Sequence, residues 1–244
     1  MNLVTFLLGA GAALLIGFSK TGMPGAAIPA VALMAEAFRE NTRLSIGAML
    51  PVLLLGDLFA LAYYRRHANW DRLQELFPYV AIGMIPGYLV LWLVESDPLR
   101  VLIGAIILGL LGLQIARQRF GWEKMPDRRW FIATTGVLAG FGTAVGNAAG
   151  PVMSIYLISK RMDKQEFLGT AAWFFFIVNM SKIPFFLGLG MITPATLSLD
   201  ALLVPVVVVG AIVGVLVLKR IPQAVFNAIV LSLAGVAAVR MVFW

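Results

Sequence analysis

Apolar residues in this chain come in long, nearly unbroken stretches separated by short polar punctuation. They do not alternate at every second position, and most stretches are too long for a strand. Against the roughly 20 residues that carry a helix across a bilayer, the pattern predicts ten helical segments. They fall at 2–18, 24–38, 42–64, 73–94, 98–117, 129–145, 147–159, 167–189, 198–218 and 222–243. Six are long enough to cross with ease. The pairs 2–18 with 24–38 and 129–145 with 147–159 are shorter, and each meets at a tight glycine-rich junction. Non-helical backbone at membrane depth is tolerated only where protein or a wet cavity satisfies it, so these pairs predict broken or re-entrant helices.

The second half of the pattern repeats the first. Gly17-Phe18 returns as Gly140-Phe141, 123 positions on, and Gly83 and Gly87 return as Gly210 and Gly214, 127 positions on. Pro78 maps to Pro205 and Pro98 to Pro222. The fold expected is an all-α polytopic membrane protein of two repeats, each of about five helical segments. The first repeat spans 1–118, a linker 119–128, and the second repeat 129–244. An odd number of crossings per repeat turns the halves opposite ways across the membrane. The short pairs do not alter that parity, since each adds two crossings or none. Inverted repeats of this kind are common in secondary transporters.

Composition sharpens the class. Of 244 residues, 61% are apolar and 13% charged, against about half and a quarter in soluble domains. The opening MNLVTFLLGAGAALLIGF lacks the basic flank of a signal peptide and is read as the first helix of the mature protein. There are no cysteines and one histidine, His67, so no cofactor or metal is expected. Neither a phosphate loop nor the His-Glu-x-x-His and Gly-x-Ser-x-Gly signatures occur. A fused ATPase and a membrane hydrolase are both disfavoured, and the chain reads as a non-enzyme.

The net charge of +7 would suggest nucleic acid in a soluble protein. Here the basic residues cluster between apolar runs and read as topology, with the lipid bilayer as partner and no nucleic acid. Arg65, Arg66, Arg72, Arg117, Arg119, Lys124, Arg128, Arg129, Lys160, Arg161, Lys164, Lys219 and Arg220 share one side. Arg39, Arg43, Arg100 and Arg240 share the other. The richer side should face the cytoplasm, which puts the linker inside and both termini outside a cell (inner) membrane. Tyr63, Tyr64, Trp70, Trp122, Trp130, Trp244 and His67 are expected at the interfaces.

Lys20 and Lys182 fit neither side and lie within apolar runs, as does Asp57. Asp57 sits eight residues before Arg65, roughly 12 Å from the helix end, and its short side chain cannot reach water. Lys20 is its expected partner, either as a purely structural pair or as a charge-balancing, proton-carrying group. Lys182, between Asn179, Ser181 and Pro184, either binds an anion or snorkels to the nearer interface. Asp57 and Lys182 occupy nearly equivalent places in the two repeats, at different depths, so no direct contact is expected. Gly142, Gly146 and Gly150 serve either a broken helix whose N-terminus favours an anion or a close-packing stripe.

The segment GDLFALAYYRRHANW and the junction GVLAGFGTAVGNAAGPVM, with the length and the repeat, resemble the TauE/SafE family of sulfite and organosulfonate exporters across essentially the whole chain. The resemblance implies gradient-driven export of a small sulfur-containing anion such as sulfite or sulfoacetate. The residues on their own terms lead to a secondary transporter working by alternating access. Ser19, Lys20, Thr21, Asn147, Asn179, Ser181 and Lys182 would hold a small anionic substrate, and Asp57 would balance charge or carry a coupling proton. The rivals are an exporter of amino acids or another small solute, an anion channel, and a non-transporting subunit. The small-residue stripes permit a homodimer.

Overall fold

The computed structural model describes residues 3–21, 27–120 and 128–217, with 232, 236, 239, 242 and 243. Most of the predicted tenth segment, most of the linker 119–128 and the Gly22–Gly25 part of the first junction lie outside the described residues. Within them the chain forms nine α-helices, in order α1 (Leu3–Thr21), α2 (Ala27–Ala37), α3 (Thr42–Tyr64), α4 (Trp70–Leu93) and α5 (Ser96–Phe120), then α6 (Arg129–Gly146), α7 (Gly150–Ser159), α8 (Lys164–Gly188) and α9 (Pro194–Val217). A short 3-10 turn, Arg65–His67, joins α3 to α4. Six spans are long and apolar enough to cross a membrane, among them α1, α3, α4, α8 and α9, with α2 and α7 shorter. The protein is a multi-pass membrane protein.

One boundary differs from the sequence expectation for a physical reason. The helix α1 does not stop at Gly17-Phe18 but continues through Ser19, Lys20 and Thr21. Burial of Lys20 against Asp57 lets the helix carry a cation where hydropathy alone ends it. The helix α8 runs through Pro184 to Gly188 without a break, as the expected segment 167–189 does. Helix starts elsewhere follow side-chain capping: Asn41, Asn69 and Asp163 each accept hydrogen bonds from first-turn amides of α3, α4 and α8.

The halves interlock. The main partner of α1 is α9, and that of α4 is α6, so each pair takes one helix from each half. Glycines set the closeness. A Cβ on Gly17 would strike the Val207 carbonyl and one on Gly210 the Leu14 carbonyl; a Cβ on Gly140 would strike the Val80 carbonyl and one on Gly83 that of Val137. The same crossing is thus built twice, at the spacings that relate the sequence repeats. Replacing Gly17 or Gly140 by alanine is expected to cost about 1–3 kcal/mol or more, the usual penalty of overpacking. Gly109→Ala, whose Cβ would meet nothing, should be neutral or slightly stabilising. Thermal unfolding in detergent distinguishes the two classes.

Two apolar bodies result. One gathers Ile16, Met49, Leu50, Phe186, Leu203 and Val207 from α1, α3, α8 and α9. The other gathers Leu73, Val80, Phe131, Tyr156 and Phe174 from α4, α6, α7 and α8. Large apolar side chains also cover the outside: Ile82, Ile85, Trp92, Leu202, Val209 and Ile212 are all exposed, as lipid contact favours. The connection from α3 to α4 is tied to α8, where the Thr170 hydroxyl accepts from the Asn69 amide at 2.9 Å and Glu166 from the Asn69 side chain at 2.6 Å.

Candidate functional site

The polar side chains that hydropathy would keep out of a membrane interior meet where α1, α3, α8 and the α6–α7 junction approach one another. Lys20 Nζ lies 2.6 Å from Asp57 Oδ1, the pairing expected from the sequence. Asn179 donates to the other carboxylate oxygen at 2.6 Å. Asp57 is fully buried and Asn179 nearly so. Gly56 makes room for the lysine, since a Cβ there would come within 2.9 Å of Lys20 Cγ. The ammonium also stands over the Phe175 ring, 4.1 Å from its centroid, a cation–π placement.

Lys182 is also fully buried. Its Nζ donates to Asn147 Oδ1 at 2.6 Å, Thr143 Oγ1 at 3.2 Å and the Thr143 carbonyl at 3.4 Å. The side chain points inward, so the snorkelling alternative does not describe it. Three acceptors match the three donors of an ammonium. Among the described residues no carboxylate lies within ion-pair distance of it, and it makes no direct contact with Asp57.

Asn147 ends α6 in the left-handed conformation, φ 54° and ψ 28°, which asparagine tolerates better than most residues. The turn aims its side chain across the interior, where Nδ2 donates to the Ile46 carbonyl at 3.1 Å while Oδ1 receives Lys182. One residue therefore ties α6, α3 and α8 together. Asn147→Ala is expected to lose about 2–4 kcal/mol, from two hydrogen bonds and a strained backbone. Asn147→Gly should recover roughly the backbone part, about 1 kcal/mol. Denaturant unfolding of the pair measures that difference.

Between these groups lies a cavity with about 40 Å³ open to the centres of water molecules, room for about three waters or a small oxyanion. Ser19, Lys20, Thr143, Asn147 and Asn179 form its polar wall, and Leu53, Leu168, Ala171, Ala172 and Phe175 its apolar one. Gly150, the first residue of α7, also lines it. That helix starts without a side-chain cap, and its second residue, Pro151, carries no N–H that would need one.

Not every residue singled out from the sequence reaches the cavity. Thr21 instead fastens α1 to α9, its hydroxyl donating to the Ala211 carbonyl at 2.9 Å and to that of Gly17 at 3.2 Å. Ser181 is exposed on the other side of α8, and its hydroxyl returns to the Val178 carbonyl at 2.8 Å. Being one position from Lys182 turns it about 100° around the helix, into an apolar groove with Tyr88, Trp92 and Phe185.

Three residues escaped the sequence reading. Thr143 stands one turn before Asn147, the only signal for it. Phe175 looks like any aromatic in a run of phenylalanines. Asp200 lay at the edge of a segment expected to start at 198, whereas α9 starts at Pro194. It is buried, and neither carboxylate oxygen has a hydrogen-bond partner among the described residues.

Among the described residues no group of three or more His, Asp and Glu side chains is arranged to hold a metal ion. A protein-family model described as "Sulfite exporter TauE/SafE" matches residues 5–241. Neither the curated proteins nor the solved structures contain a match.

Proposed function

We propose that this chain, which belongs to the sulfite exporter TauE/SafE family, is a secondary transporter that exports a small sulfur-containing anion, such as sulfite, sulfoacetate or a related organosulfonate, across the cytoplasmic membrane. Lys182 carries the reading. A buried ammonium with no carboxylate beside it among the described residues, one hydrogen bond behind a polar cavity, is costly unless a mobile negative charge visits it. The resting site satisfies it with neutral acceptors, which an anion can supplement without breaking a salt bridge.

The surroundings fit transport better than permanent storage. The cavity lies where the two apolar bodies approach, with Ser19, Lys20 and Asp57 contributed by α1 and α3, Thr143 and Asn147 by α6 and its cap, and Asn179 by α8. Rocking one body against the other would open the cavity first to one side of the membrane and then to the other. On this reading the halves have inverted topology, the linker is cytoplasmic and both termini lie outside. Ser19, Lys20, Thr143, Asn147 and Asn179 face the substrate, Lys182 attracts it, and Asp57 balances Lys20 or takes up a coupling proton.

Binding to purified protein tests the substrate class. Titration against sulfite, sulfoacetate, taurine, sulfate, thiosulfate and acetate should give saturable binding for at least one sulfur anion and none for zwitterionic taurine. Binding of cationic amino acids in preference to every anion would overturn the reading.

A further inference from the structure

The fixed charges around the cavity have a sum, and it bears on which anions fit. Among the described residues, three charged side chains line this cavity or bond directly to the groups that do: Lys20, Asp57 and Lys182. Lys20 and Asp57, 2.6 Å apart, contribute no net charge between them. Lys182 has the donor geometry of an ammonium, with acceptors at 2.6, 3.2 and 3.4 Å. The site therefore presents one net positive charge, in surroundings where charge is weakly screened.

Resting on the anion-transport reading, we propose that the cavity selects anions by valence, taking singly charged oxyanions such as hydrogensulfite and simple alkanesulfonates over doubly charged ones, sulfoacetate included, and that Asp57 sets this preference. A monoanion brings the interior to neutrality. A dianion of the same size leaves one negative charge uncompensated away from water, the situation that buried ions avoid. The rest of the wall offers little help to a second charge. The Asn179 amide already donates to Asp57 and the Asn147 amide to the Ile46 carbonyl, while Leu53, Leu168, Ala171, Ala172 and Phe175 have nothing to donate.

The role of Asp57 follows from the sum. Removing its charge while keeping its shape, as in Asp57→Asn, leaves Lys20 and Lys182 as two uncompensated cations. Such a site is matched to a dianion. Asp57 would then be a specificity determinant that never touches the substrate, acting through the pair it forms with Lys20.

Perchlorate and sulfate provide the test, because both are tetrahedral oxyanions of similar size and differ in charge. Methanesulfonate and thiosulfate form a second pair. Calorimetric titration of the full-length protein should show wild type favouring the monoanion of each pair by about tenfold or more. Sulfate is also the more strongly hydrated ion, so the variant separates valence from hydration. In Asp57→Asn the ratio should move by about tenfold or more toward the dianion. A folded variant with an unchanged ratio overturns the proposal. If the variant does not fold, wild type still decides, since sulfate bound as tightly as perchlorate overturns it equally. Binding of no anion at all is a different result, which removes the transport reading itself.

Discussion

Replacing Lys182 by alanine is expected to abolish saturable anion binding and to leave the protein folded. The substrate loses the one uncompensated cation of the site. Removing one member of a buried charge interaction costs about 3–5 kcal/mol, which is about two orders of magnitude or more in affinity. Stability should change less, because two effects oppose. Asn147 Oδ1 and the Thr143 hydroxyl lose their donor, at about 1–3 kcal/mol. Against that, the protein no longer holds a buried ammonium, whose insertion alone costs at least about 2.5 kcal/mol. Calorimetric titration and thermal unfolding of the same sample separate the two quantities. Unchanged affinity would remove Lys182 from the site.

The second large effect concerns Lys20 and Asp57. Lys20→Met leaves the fully buried Asp57 carboxylate with Asn179 as its hydrogen-bond partner and should destabilise the protein by about 3–5 kcal/mol. Adding Asp57→Asn removes the orphaned charge and preserves a side chain that can bond Asn179. The double variant should regain most of the loss, since buried pairs contribute little beyond what neutral groups of similar shape provide. Transport should not return, because the cation facing the cavity is still missing. Unfolding free energies of wild type, both single variants and the double variant form the cycle that checks this. A double variant as unstable as Lys20→Met would mean that the lysine acts through packing, not charge.

Much of the fold was legible because bilayer spans announce themselves by length and apolarity. The segments 42–64 and 147–159 correspond to α3 (Thr42–Tyr64) and, after its junction, α7 (Gly150–Ser159). The glycines whose spacing suggested a repeat make matched close contacts at Gly17, Gly83, Gly140 and Gly210. The misjudged end of α1 shows the limit, because hydropathy ends a helix at Lys20 unless a partner such as Asp57 is known to lie opposite.

The site was less legible for a related reason. Depth along a helix can be counted from a sequence, and this picked out Lys20, Asp57 and Lys182. Direction around a helix depends on packing, so Ser181 was grouped with Lys182 although it points about 100° away around the helix. Thr143 carries no charge to mark it, and its importance comes from lying one turn before the left-handed Asn147. The partnership of Asn147 with Lys182 needed the path of the chain between α6 and α8.

The most direct test of the account is counterflow of labelled sulfite, and of labelled sulfoacetate in parallel, into liposomes carrying the purified protein. The expected result is saturable uptake of sulfite driven by unlabelled anion inside, weaker for the doubly charged sulfoacetate, absent in Lys182→Ala liposomes and with no accompanying ionic conductance. Flux that fails to saturate and carries a large current would mark a channel, and no flux of either anion from folded protein would contradict sulfur-anion transport.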